Sequence, residues 1–177
     1  MDKKVFIGIG SNIGNSSENC IESIKEIIKD SRAKLKSTSS LYHTSPVSDV
    51  EQNDFINCAI CITWVGTPLD LLGLLHRIED KMGRTRTIRD GSRTIDLDIL
   101  LFGDLILDSP SLKIPHPELH KRKFAIVPCL EISPEIIHPS FNKPLNEFLS
   151  YIDDGQKIQL MKDRKEVMES LNPCILR

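Results

Sequence analysis

The feature that most limits what this chain can fold into is a pair of amphipathic helical patterns, each set between runs of strand-forming residues. The segment "KKVFIGIGSN" (residues 3–12) is β-branched and apolar and ends in a Gly-Ser-Asn turn, which predicts a strand at about residues 4–10. From Ser16 to Asp30, Cys20, Ile21, Ile24, Ile27 and Ile28 recur at helical spacing, leaving Glu18, Glu22, Lys25, Glu26 and Lys29 mainly for solvent. Residues 34–43, "KLKSTSSLYH", are Ser/Thr-rich and partly alternating, so they read as one strand near a sheet edge, broken by Thr44-Ser45-Pro46. Residues 55–65 are dense enough in apolar side chains for a central strand. The second helix carries its own punctuation: Thr67 as N-cap, Pro68 at N1, Asp70 at N3, an apolar face from Leu71 to Met82, and Gly83 as the stop. An arginine-rich loop over 84–93 then leads into a last strand, "RTIDLDILLF" (residues 93–102).

The order β-α-β-β-α-β implies an α+β fold with a ferredoxin-like core, an antiparallel sheet with both helices on one face and the other face free for a site. Additions follow: an edge segment "DLILDS", a turn "IPHPELH", a short helix near 124–130, and a polar segment from about 155 to 177. Residues 1–155 are expected to form a single domain, with 156–177 as an extension of it. The 177 residues, 40% hydrophobic and 27% charged, suffice for one real core, and a net charge of -2 argues against nucleic-acid binding through bulk electrostatics. The N-terminus has no apolar run of signal-peptide-centre length and no segment approaches a membrane span, so a cytoplasmic location is expected. The five cysteines are odd in number and scattered; Cys58 and Cys61, three apart on a strand, should point to opposite faces as free buried thiols.

Two carboxylates interrupt the last strand. Strand alternation puts Thr94, Asp96, Asp98, Leu100 and Phe102 on one face and Ile95, Leu97, Ile99 and Leu101 on the core face. Same-side neighbours lie roughly 6.5–7 Å apart along a strand, so Asp96 and Asp98 can address a common point. Two hard anions in that arrangement suit Mg²⁺, which completes its shell with water and substrate phosphates. For a lone Asp-x-Asp, an exposed strand or pairing with arginines would be the better explanation. However, Lys81 to Arg93 places Lys81, Arg84, Arg86, Arg89 and Arg93 against the single Asp90, and arginine forks bind phosphoryl oxygens bidentately. There is no P-loop motif, and Gly8-Ile-Gly10-Ser-Asn-Ile-Gly14 has one residue too many for a dinucleotide fingerprint. Its glycines are expected to allow a turn and close backbone approach. His116 and His120 have zinc-like spacing but no third soft ligand nearby, so nucleotide contact beside Lys121-Arg122-Lys123 fits better.

In order and spacing, "GSNIGN", "YHTSPV", "DFINCA", "RIEDKMGRTR", "GSRTIDLDILLF" and "IPHPELHKRKF" resemble the 6-hydroxymethyl-7,8-dihydropterin pyrophosphokinase family of folate biosynthesis, over roughly residues 4–150. The resemblance implies a ferredoxin-like core and transfer of the β,γ-pyrophosphoryl group of ATP to the pterin hydroxymethyl oxygen, with release of AMP. It also implies two Mg²⁺ ions on Asp96 and Asp98, with ATP as co-substrate, and catalytic roles for Arg84, Arg93, Asp96 and Asp98. By the same resemblance, Glu79, Arg84, Arg86, Arg93, Ile99, His116 and Arg122 belong to the ATP site. Thr44, Ser45, Val47, Phe55, Asn57 and Phe124 belong to the pterin site, the two phenylalanines stacking on the ring. The partners implied are small molecules, with no nucleic acid and no membrane, and a monomer is allowed. One departure stands out: Asp90-Gly91-Ser92-Arg93 occupies a place where many relatives have Trp or Asn before Gly-Pro-Arg. Other Mg²⁺-dependent nucleotidyl or glycosyl transfer also suits an Asp-x-Asp with arginines. An RNA-binding module would share the fold, but no [KR]-G-[FY]-[GA]-F stacking signature is present.

Overall fold

Antiparallel pairing organises the chain around its first strand. In the computed structural model, which describes residues 2–47, 51–83, 92–152 and 155–175 with side chains through 172, β1 (Lys3–Ser11) lies between β4 (Phe55–Trp64) and β5 (Asp96–Phe102). The β1–β4 ladder runs unbroken from Lys3 opposite Trp64 to Ser11 opposite Ile56, so the long apolar strand is central, as its composition requires. Helices α1 (Ser16–Ile28) and α2 (Pro68–Lys81) cover one face of the sheet, where Ile7, Ile24, Ile27, Ile60, Ile62, Leu71 and Leu75 are fully buried in one core. The α2 start is a complete capping box: Asp70 N–H donates to Thr67 Oγ1 at 3.1 Å, and Thr67 N–H donates back to Asp70 Oδ2 at 2.8 Å. This is the ferredoxin-like arrangement expected from the element order.

The expected single strand over 34–43 is instead two, β2 (Ala33–Thr38) and β3 (Leu41–Thr44), both paired with β4. The break lies at two buried serines. Ser39 Oγ accepts from Ala59 N–H at 2.9 Å, and Ser40 turns its N–H and hydroxyl to Glu131 at 2.8 and 2.7 Å. These side-chain bonds compete with the backbone ladder and bend the strand. Tyr42 O–H donates to the same carboxylate at 2.8 Å; burial first, then this bond, pushes its pKa up to about 12.

The second sheet face is not wholly free, contrary to expectation. Helix α3 (Lys123–Ile132) and the 3₁₀ segment 145–151 pack on half of it, building a second core from Phe6, Ala59, Cys61, Leu100, Leu101, Ile126, Cys129 and Leu145. Alternation along β5 also fails at its end. A bulge pairs Phe6 with Leu101 but Ile7 with Ile99, leaving Leu100 as the extra residue. Consequently Leu101 joins the second core and Phe102 the helix-side core, the reverse of strict alternation. Cys58 and Cys61 do face opposite cores, and Cys20, Cys58, Cys61 and Cys129 are free and buried.

The edge segment forms β6 (Leu107–Asp108), paired with β7 (Lys113–Ile114), and a second small ribbon joins β8 (Ile137–His138) to β9 (Lys143–Pro144). The polar C-terminal segment is not a loose tail: β10 (Ile158–Lys162) extends the main sheet beside β3. Helix α4 (Arg164–Ile175) packs on α1, with Val167 and Leu171 fully buried in the helix-side core. Polarity hid both, since an edge strand and a surface helix need few apolar residues. Among the described residues, no helix is long and apolar enough to cross a membrane.

His138 makes a prediction about stability. It is 3% exposed, neither ring nitrogen has a hydrogen-bond partner among the described residues, and its neighbours are the rings of His120, Phe141 and Phe148 at 5.9, 4.7 and 5.7 Å. Burial first, then the neighbouring His120, brings its pKa down to about 4. The unfolded chain therefore takes up this proton near pH 6.5 while the folded chain resists until about 4, so stability falls as pH drops through that window. The slope from one such group is at most about 1.4 kcal/mol per pH unit. Urea unfolding between pH 4.5 and 7.5 should show a shallower pH dependence for His138→Phe than for wild type. Parallel profiles would remove His138 from this role.

Candidate active site

The register of β1 assembles the site. Gly10 stands opposite Asn57 on one side and Asp96 on the other, while Gly8 stands opposite Ala59 and Asp98. Directly paired residues share a face, so the two carboxylates and the amide project on the same side of the sheet as two residues with no side chain. The missing side chain at Gly10 is required: a Cβ there would lie 2.6 Å from Asn57 Oδ1. The glycines form the floor of a cavity of about 600 Å³, whose far walls are the second core and the loop after β3.

On the β4 side, Asn57 is 6% exposed and donates through Nδ2 to Thr44 Oγ1 at 2.7 Å, which orients its amide. Thr44, Ser45, Val47 and half-buried Phe55 continue this wall, and Phe124 at the start of α3 adds a second half-buried aromatic. On the β5 side, Arg93 forms an ion pair with Asp96, and its guanidinium lies 6.0 Å from the centre of the Phe55 ring. Arg122 lies 5.7 Å from the centre of the Phe124 ring. His116 accepts Glu118 N–H on Nδ1 at 3.1 Å, so neutral His116 carries its proton on Nε2, 3.8 Å from Asp98 Oδ2.

The electrostatics are unbalanced toward the carboxylates. Although 36% of the Asp98 side chain is open to the cavity, the enclosing protein desolvates it. That desolvation, reinforced by Asp96 and then Glu79 against the opposing pull of Arg122 and Arg93, raises its pKa to about 7. His116 moves the other way, down to about 4, through burial and then Arg122. The pocket thus holds a neutral imidazole, arginines able to meet anions, and two acidic groups that repel one another. Among the described residues, no group of three or more His, Cys, Asp or Glu side chains is placed to hold a metal.

Eleven residues expected in the site line this one cavity: Thr44, Ser45, Val47, Phe55, Asn57, Arg93, Asp96, Asp98, His116, Arg122 and Phe124. Two do not. Ile99 is buried in the helix-side core, and Glu79, 1% exposed, accepts Leu97 N–H at 2.8 Å from below the sheet, where it anchors the start of β5. Arg84 and Arg86 lie outside the described residues. His120 turns away from the cavity into the cluster around His138.

Sequence reasoning missed several contributors. Asn12, 3% exposed, donates to Gln52 Oε1 and Asn53 O, each at 3.1 Å, and accepts Arg93 N–H at 2.8 Å. It therefore ties the end of β1 to the segments that flank the cavity on both sides; the Gly-Ser-Asn turn was the available signal. Gln52 lines the cavity, and so does Gln156, for which no motif gave a signal.

This geometry agrees with what the chain resembles. A family model described as 7,8-dihydro-6-hydroxymethylpterin-pyrophosphokinase (HPPK) matches residues 6–134. The 2-amino-4-hydroxy-6-hydroxymethyldihydropteridine pyrophosphokinase of Haemophilus influenzae is 37% identical over 155 residues, covering 88% of this chain and 96% of that protein. The folic acid synthesis protein FOL1 of Dictyostelium discoideum is 36% identical over 154 residues, covering 87% of this chain, which spans only 23% of that longer protein. Among solved structures, wild-type HPPK-DHPS of Plasmodium falciparum with SDX-DHP superposes with a TM-score of 0.67 at 16% identity, over 85% of this chain and 44% of that one. At that identity the likeness speaks for the fold alone. With the family model spanning most of the sequence and a relative of nearly equal length above a third identical, the chain belongs to the 7,8-dihydro-6-hydroxymethylpterin-pyrophosphokinase family.

Proposed function

We propose that this chain transfers the β,γ-pyrophosphoryl group of ATP to the hydroxymethyl oxygen of 6-hydroxymethyl-7,8-dihydropterin, releasing AMP, as a step in folate biosynthesis. The observation that carries this reading is a single cavity lined by Asp96, Asp98, Arg93, His116 and Arg122 together with Asn57, Thr44, Phe55 and Phe124. The first set suits a polyphosphate, the second a flat ring with a polar edge. Asn57 presents an amide that both donates and accepts, held by Thr44 so that it meets the ring edge without reorganisation. Phe55 and Phe124 offer apolar faces to the ring.

Asp96 and Asp98 would hold Mg²⁺, two ions in this reading. The donor set fits: two hard carboxylates face one cavity, and the desolvation and then the neighbouring Asp96 charge that raise the Asp98 pKa to about 7 are both offset by a bound cation. When bound, the ions neutralise triphosphate charge and polarise the phosphoryl oxygens. Arg93 and Arg122 meet phosphate oxygens by charge-assisted hydrogen bonds, and Arg93 is held near the carboxylates through Asp96 and Asn12. His116, neutral at physiological pH, donates from Nε2 into the site without adding a positive charge. Arg84 and Arg86 belong to the same phosphate-binding set, and Glu79 acts through the backbone of β5. The whole chain works as one unit in the cytoplasm, where free buried thiols persist.

An assay of AMP release with hydroxymethyldihydropterin, ATP and Mg²⁺ tests the activity directly. Nucleotidyl or glycosyl transfer would release pyrophosphate or a nucleoside diphosphate instead. Asp96→Ala and Asp98→Ala should each lower turnover by on the order of a thousandfold with the fold retained by circular dichroism. Near-normal AMP release from either variant at saturating pterin would remove the metal assignment. Arg93→Ala should lower kcat roughly a hundredfold while changing ATP affinity only a few-fold, since its phosphate contacts strengthen as charge develops. Equal losses in affinity and rate would make Arg93 a ground-state binding residue.

A further inference from the structure

The C-terminal addition reaches the cavity, outside the region that the family model matches. Just before β10, Gln156 Nε2 donates to the Ser45 carbonyl at 2.8 Å, Ser45 N–H donates to the Lys157 carbonyl at 3.1 Å, and Lys157 N–H donates to Ser45 Oγ at 2.9 Å. The pairing then continues with Ile158 opposite Thr44. Ser45 is thus held at its amide, carbonyl and hydroxyl by two consecutive residues of a distant segment. Its neighbours Thr44 and Val47, and Gln156 itself, line the cavity beside Asn57.

We propose that residues 156–158 are a clamp on the pterin wall, with Gln156 the positioning residue that sets the backbone of Thr44–Val47 against the ring edge. This rests on the pterin reading of that wall. The physical reason is that Thr44 ends β3 and Pro46, which has no N–H, follows Ser45, so β3 cannot continue its own ladder there. The wall would otherwise have to be ordered by the substrate. A second segment that orders it beforehand removes that entropic cost from binding.

The clamp predicts a selective defect. Gln156→Ala should raise KM for hydroxymethyldihydropterin up to about tenfold, the size of one hydrogen bond, with KM for ATP and kcat changed less than about twofold. Hydrogen exchange at the Ser45 amide should speed up in the same variant. Gln156→Glu keeps the size but loses the donor, so it should be at least as impaired. An active wild-type enzyme whose Gln156→Ala variant keeps its pterin KM overturns the clamp alone. So does an equal rise in both KM values, which marks general loosening, and so does wild-type behaviour in Gln156→Glu, which makes volume rather than the hydrogen bond the cause. An inactive wild-type chain overturns the pterin reading and the clamp with it.

Discussion

The pairing of β1 with β4 on one edge and β5 on the other is the constraint on which everything else depends. It aligns Gly10 with both Asn57 and Asp96, and Gly8 with Asp98, so the ring-recognising amide and the acidic pair become neighbours across a strand without side chains. A shift of one residue would turn Asn57 and both aspartates into the helix-side core, where Ile7, Ile9, Leu97 and Ile99 now sit. Register is therefore guarded by the hydrophobic core: the burial that stabilises the fold also holds the polar face in place.

That second face is divided between packing and chemistry. At the Phe6 and Leu101 end, α3 and the 145–151 segment cover it; at the glycine end it stays open. The bulge at Leu100 marks the boundary, because it lets β5 turn Leu101 toward the second core after presenting Asp96 and Asp98 to the cavity. Glu131 ties α3 to the start of β3 by accepting three hydrogen bonds from Ser40 and Tyr42, which joins the helix that carries Phe124 to the strand that carries Thr44.

The site carries its own electrostatic strain. Asp98 is desolvated beside Asp96 and held protonated to about pH 7, which costs stability in the absence of a cation and favours binding one. His116 is kept neutral by the same enclosure that raises Asp98, with Arg122 acting on both: it lowers the imidazole pKa and opposes the rise at Asp98. Opposite shifts from one environment follow because burial disfavours charge of either sign.

Local patterns in the sequence determined the helices, the α2 capping box, the central β4 strand, and the acidic pair beside an arginine-rich loop, since periodicity and capping act over a few residues. The order of those elements was enough for the ferredoxin-like core, and the family resemblance that the motifs carry named eleven residues that line the cavity. Strict alternation misplaced Leu101 and Phe102, because a bulge is set by the partner strand. The resemblance put Ile99 in the ATP site; alternation buries its side chain in the helix-side core, which leaves its backbone for such a contact. Contacts between segments distant in sequence came only from the tertiary structure: Asn12 on Arg93, Glu131 on Ser40 and Tyr42, and Gln156 on Ser45. Each joins residues some 80 to 110 positions apart, and no local pattern can encode a hydrogen bond whose two ends meet only when the sheet closes.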